Sequence, residues 1–179
     1  MNKSMPGRVL VKDATQGIAE IVVSGYGNVD RQKDLVLRGA SAKQIAGEYG
    51  PNPKGILDHD PTMRSAVAKT LRMWEEDDGT HIEAQYNLSK QASREAFEDL
   101  AFYGEDMQFS VGYEIKAKRE PTPLEKAAGA RQVITEWRII EWSAVMHAAN
   151  TNAHLVGVKA EPDPIDPAAV REFFELIAP

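Results

Sequence analysis

The chain has 179 residues, 42% of them hydrophobic and 27% charged, with no cysteine and a net charge of −6. That balance belongs to a folded globular domain, and the length is enough to bury a core without disulfides. Disulfides, thiolate metal sites and a cysteine nucleophile are excluded, and a pI near 5.3 argues against nucleic acid as the main partner.

No apolar run approaches the roughly 20 residues of a membrane span. The opening Met1–Pro6 lacks the apolar stretch of a secretory signal. The expectation is a cytoplasmic protein that meets neither membrane nor nucleic acid.

In chain order, Arg8–Lys12 and Gly17–Gly25 are predicted strands, the second carrying Ile18, Ile21, Val22 and Val23. Gly25–Asp30 is rich in glycine and Asx residues and predicts a loop. Ser41 is placed to cap a short helix running to about Glu48. Gly50-Pro51-Asn52-Pro53 breaks the chain, and Gly55–Leu57 follows as a short buried strand leading to His59. Val67–Trp74 and Thr80–Leu88 predict a hairpin around the acidic turn Glu75–Gly79, which ends in the hairpin-forming pair Asp78-Gly79.

Ser89–Tyr103 is the strongest helix signal: Ala92, Ala96, Phe97 and Leu100 recur at helical spacing and Gly104 ends the run. In Met107–Lys118, Phe109, Val111, Tyr113 and Ile115 alternate with polar residues or glycine, as in a strand. Pro121–Arg131 is a polar excursion with one helical turn, where mobility is expected. Gln132–Val145 is a long strand and Ala153–Lys159 a short closing one. Pro162–Pro167 is a Pro/Asp linker, and Ala168–Ile177 predicts a C-terminal helix. Many strands, few helices and no βαβ alternation place the chain in the α+β class, mainly antiparallel β, as a barrel or curled sheet with helices packed around it.

Three stretches carry candidate chemistry: Ile56-Leu57-Asp58-His59-Asp60, Phe109-Ser110-Val111-Gly112-Tyr113 and Ile140-Glu141-Trp142-Ser143-Ala144-Val145. Imidazole is the side chain best suited to general-base work near neutral pH, and His59 follows a buried strand. The bland alternative is a surface histidine between two aspartates. Ser110 lies inside an apolar strand. Gly112, two residues on, bares the same face so that another backbone could approach; the alternative is an ordinary core serine. Glu141 between Ile140 and Trp142 needs a partner if buried, and a histidine N–H is a suitable one; the alternative is an outward strand glutamate. A serine, a histidine and a carboxylate are the groups that acyl transfer by a serine nucleophile requires. If His59 and Ser110 lie far apart, the triad fails, and an unrelated β-rich hydrolase or carbohydrate-binding module takes its place.

Elsewhere, His81 reads as structural and Glu75–Asp78 as a solvated turn. His147 and His154 lack metal-ligand spacing, so no metal or cofactor is expected.

Together the stretches resemble the prohead (capsid maturation) serine proteases of tailed bacteriophages, a family related in fold to the herpesvirus assemblins. The likeness runs from about Ala19 to Val158. It rests on Gly27–Ser41, on His59-Asp60 after an apolar pair, and on a helix ending at Gly104. It continues through Ser110-Val111-Gly112-Tyr113 and Glu141–Val145, followed by Ala148-Ala149-Asn150 and Ala153. This chain departs from the family pattern at Ser65-Ala66-Val67, at Trp142 and at Ala148, which stands where the family has proline.

The resemblance implies an assemblin-like fold over residues 1–160, with 161–179 as a Pro-rich linker and helical tail. It implies a serine endopeptidase with Ser110 as nucleophile, His59 as base and Glu141 as third member. His147 and His154 remain runners-up for the third place, because assemblins use a second histidine there. Neither the sequence nor the resemblance identifies the oxyanion donors; a backbone N–H near Ser110 or in the Met63-Arg64 loop is the candidate. The implied substrates are scaffold or capsid-protein segments, and the chain itself, inside an immature shell in the host cytoplasm. Self-association is left open. The rival within the same fold is a catalytically inactive assembly factor that binds scaffold.

Overall fold

The computed structural model describes residues 11–13 and 15–157. The start of the strand expected at Arg8, the linker 162–167, the helix expected over Ala168–Ile177 and the tail division at 161 lie outside them. Among the described residues the strands are β1 Val11–Asp13, β2 Ile18–Gly25, β3 Asp34–Val36, β4 Lys54–Leu57, β5 Ala68–Glu75, β6 Gly79–Tyr86, β7 Gln108–Arg119, β8 Gln132–Val145 and β9 His154–Gly157. The helices are α1 Ala42–Ile45, α2 Gln91–Tyr103 and α3 Pro123–Ala127, with a 3-10 turn at Gly104–Asp106.

All the strands join one mixed sheet in the order β1-β2-β6-β5-β4-β8-β7-β9, with β3 also on β8 and β9 also on β2. Most pairings are antiparallel. The exceptions are β3 and β4, which lie parallel to β8 at opposite ends of one of its edges. At 14 residues, β8 is long enough to hold both on that edge and β7 on the other. β9 meets β7 only at Gln108↔His154. The sheet therefore curls until β2 and β9 pair, but no continuous ladder closes it. Of the two forms expected, barrel and curled sheet, the chain adopts the open curled one.

The inner face holds the core: Ile21, Ile82, Leu100, Phe109, Trp137, Trp142 and Leu155 are almost wholly buried. Helix α2 closes one side with Ala96, Phe97 and Leu100, the face its periodicity predicts, and Phe97 packs 5.3 Å from the Tyr86 ring. Trp142 sits opposite Gly55 on β4, where a Cβ would collide with its indole. Gly55 is therefore glycine for space, not for backbone conformation.

Two local expectations change. Ser41 precedes α1 but makes no side-chain cap. Its hydroxyl accepts from Trp137 Nε1 at 2.8 Å and meets Thr80 Oγ1 at 3.0 Å, because a buried indole N–H must find an acceptor. The turn after β5 is not solvated throughout. Glu75 points inward, where its carboxylate accepts the N–H groups of Gly39 and Ser41 and the Tyr26 hydroxyl. Burial and the Glu75 carboxylate push the Tyr26 hydroxyl far above the ordinary phenol range. In the excursion after β7, Thr122 and Glu125 form a capping box at the start of α3. Arg119 grips Glu125 with two bonds of 2.7 Å, which holds that carboxyl down at about 2.

Candidate active site

The end of β4 brings His59 to β8. Because β4 runs parallel to β8, Lys54 pairs with Glu141, Ile56 with Ser143 and Leu57 with Ala144. Immediately beyond, Asp58 and His59 both adopt left-handed backbone conformations, φ 50° and 57°. Such conformations cost about 1–3 kcal/mol each for non-glycine residues and persist only where the surroundings enforce them. Here Asp58 N–H reaches Ala144 O at 3.3 Å, His59 N–H donates to Ser143 Oγ at 3.1 Å and Asp60 N–H donates to Leu57 O at 2.9 Å. The turn brings the imidazole toward the neighbouring strand β8, so that His59 Nδ1 stands 2.6 Å from Glu141 Oε1.

The loop after His59 is fastened from two sides. Ser65 Oγ donates to the carbonyls of Asp60 and Thr62. The Lys90 ammonium, just before α2, donates to the carbonyls of Met63, Arg64 and Ala66 at 2.7–2.8 Å. In the segment proposed for oxyanion donors, the Met63 and Arg64 carbonyls thus face Lys90.

Glu141 is held at both oxygens. Oε1 meets His59 and Oε2 accepts the Ser143 hydroxyl at 2.7 Å. Ser143 is fully buried and closes the circuit, since it also accepts the His59 N–H. Sequence reasoning assigned Ser143 no role. A signal was present: residues two apart on a strand share a face, so Ser143 had to point with Glu141.

Ser110 joins the same face through β7. It pairs with Ser143, and Gly112 pairs with Glu141, with the ladder unbroken between them. Directly opposed residues project to one side, with Cβ atoms about 4.5–5.5 Å apart. A Cβ on Gly112 would run into the Glu141 carboxylate, so glycine here makes room for the acid. Ser110 is buried, 8% exposed, and its side chain makes no hydrogen bond among the described residues, to His59 or otherwise. Beside it is a cavity of about 20 Å³ bordered by Asp30, Val111, Tyr113 and Asn150, roomy enough for about one water. Burial, then the nearby Asp34 carboxylate, raise the Asp30 carboxyl above its ordinary range, against the backbone N–H bonds it accepts.

Ser110 and Glu141 therefore lie on one face of neighbouring strands, and His59 meets that face through Glu141. Of the runners-up, His147 is exposed in the loop after β8, and the His154 backbone pairs with Val22 and with Gln108, two residues from Ser110. Glu141 is the group that meets His59 Nδ1. In the neutral imidazole, an N–H on Nδ1 donating to Glu141 leaves the Nε2 lone pair free to accept a proton. No helix among the described residues is long and apolar enough to cross a membrane. No family model and no curated protein sequence matches the chain.

Proposed function

We propose that this protein is a serine endopeptidase of the prohead-protease type, cleaving scaffold or capsid-protein segments of a tailed phage during shell maturation. The observation that carries the reading is the bond from His59 to Glu141, whose strand β8 is hydrogen-bonded to the strand of Ser110 with both side chains on one face. In this mechanism His59 Nε2 takes the proton from Ser110 Oγ as that oxygen attacks a peptide carbonyl. The tetrahedral adduct collapses, the C–N bond breaks and His59 returns the proton to the leaving amine. Water, deprotonated by His59, then attacks the acyl ester; the C–O bond to Ser110 breaks and His59 returns the proton to Ser110 Oγ, releasing the acid product. Glu141 fixes the Nδ1–H tautomer and stabilises the imidazolium; Ser143 holds Glu141.

A second reading is supported by the lack of a hydrogen bond between Ser110 and His59: the same fold serving as an inactive scaffold-binding assembly factor. Catalytic hydrogen bonds are often long until substrate binds, so the missing bond leaves the protease standing. Co-expression of the chain, and separately of its Ser110→Ala form, with the capsid and scaffold proteins of the same virus decides between them. Truncated products with the native chain only, read by intact mass, establish the protease. Uncleaved masses in both, with scaffold still bound, establish the assembly factor.

A further inference from the structure

A second histidine–carboxylate cluster lies across β2 and β6, on the face opposite the core pair Ile21 and Ile82. His81 on β6 pairs with Val22 on β2, two residues from Glu20. Glu76 reaches in from the turn between β5 and β6. One ligand atom from each of Glu20, Glu76 and His81 lies within 4.8 Å of the others. We propose that these three side chains bind a divalent metal ion of the zinc class.

Acidic groups gathered on a surface would not suffice; His81 makes the difference. It is 3% exposed, and Nδ1 is buried without a hydrogen-bond partner. Its Nε2 lies 2.7 Å from Asp78 Oδ1. A carboxylate there takes the Nε2–H and leaves the Nδ1 lone pair directed at the cluster. This is the outer-shell arrangement that orients metal-binding histidines. Nδ1 faces Glu20 Oε1 at 3.4 Å, off hydrogen-bonding geometry. Two acceptors facing each other repel unless a cation or proton lies between them. Two ligands each about 2.1 Å from one tetrahedral zinc are roughly 3.4 Å apart. The spacing thus matches a shared metal.

Glu76 completes the set and is steered toward it. Trp74 stacks on His81 with centroids 5.4 Å apart and donates Nε1–H to Glu76 Oε1 at 2.7 Å, leaving Oε2 for the ion. One imidazole nitrogen with two carboxylates suits zinc or cobalt better than magnesium or calcium, which prefer all-oxygen sites.

The test is calorimetric titration of the chelator-treated full chain with Zn²⁺, alongside the visible spectrum with Co²⁺. The expected result is one ion per chain and a tetrahedral-type cobalt spectrum. Glu76→Gln, an exposed change that leaves the fold intact, lowers Zn²⁺ affinity at least tenfold. His59→Ala leaves that affinity unchanged. Absence of binding, equal affinity in Glu76→Gln, or loss of binding in His59→Ala would each overturn the site; the last would place the ion at the His59–Glu141 pair. Zinc binding does not depend on proteolysis, so failure of either proposal is read separately.

Discussion

Gly112→Ala perturbs the candidate triad without altering any reacting group. Gly112 has ordinary strand conformation, and alanine there should by itself gain about 0.5–1 kcal/mol over glycine. The obstacle is Glu141. The new Cβ would lie 3.2 Å from its Cδ and 3.3 Å from its Cγ, and nearer still to Oε1, inside the 3.0 Å that real Cβ atoms keep. Oε1 is the oxygen that holds His59 at 2.6 Å. The side chain can swing aside at modest cost, so the fold survives, but the carboxylate must retreat by the better part of an ångström. A misplacement of about 1 Å in a catalytic array costs on the order of 10²-fold. Complete loss of the orienting acid sets the upper bound, about 10⁴-fold. The assay is the rate at which a fluorophosphonate labels Ser110, followed by intact mass, with urea melts as the control for folding. The expected result is a roughly hundredfold slower rate with little loss of stability, and no further slowing when Gly112→Ala is added to Glu141→Ala. Labelling at the native rate, or an equal additional loss in the Glu141→Ala background, would refute the coupling.

Ser143→Ala strips Glu141 Oε2 of a donor and the His59 N–H of its acceptor at a fully buried position. It should cost about 1–3 kcal/mol by urea melt and slow labelling about tenfold or more; a variant indistinguishable from native in both would show that the bridge is idle. Gly55→Ala forces a methyl into the Trp142 indole, an overpacking expected to cost about 1–3 kcal/mol, which unchanged thermal stability would exclude. Asp30→Asn keeps the oxygen that accepts from Gln32 and Asp34 but removes the charge. The native state raises the Asp30 carboxyl, so it binds that proton more tightly than the unfolded chain does, and ionised Asp30 destabilises the fold above its raised native value. The variant should therefore gain stability over native at neutral pH. That gain should shrink as pH falls through the raised value to the ordinary carboxylate range; a gain that grows on acidification would reverse the sign of the argument.

Local chemistry determined much of this protein. Alternation in 107–118, helical spacing in 89–103 and the Asp78-Gly79 turn each name their element, because side-chain period and turn chemistry are properties of neighbouring residues. The candidate residues were legible for the same reason: each stands in a short stretch whose flanks are themselves informative. Strand β3 was not expected, since three residues gain strand geometry only by pairing with β8. Only the tertiary structure decided that β4 lies parallel to β8, so that His59 meets Glu141 across 82 positions. It also decided that Ser41 and Glu75 serve Trp137 and Tyr26. The clustering of Glu20, Glu76 and His81 was equally hidden. A hydrogen bond or ligand set between distant segments leaves no periodic trace in a sequence. It exists only once burial has removed water as the competing partner and obliged each polar group to find another.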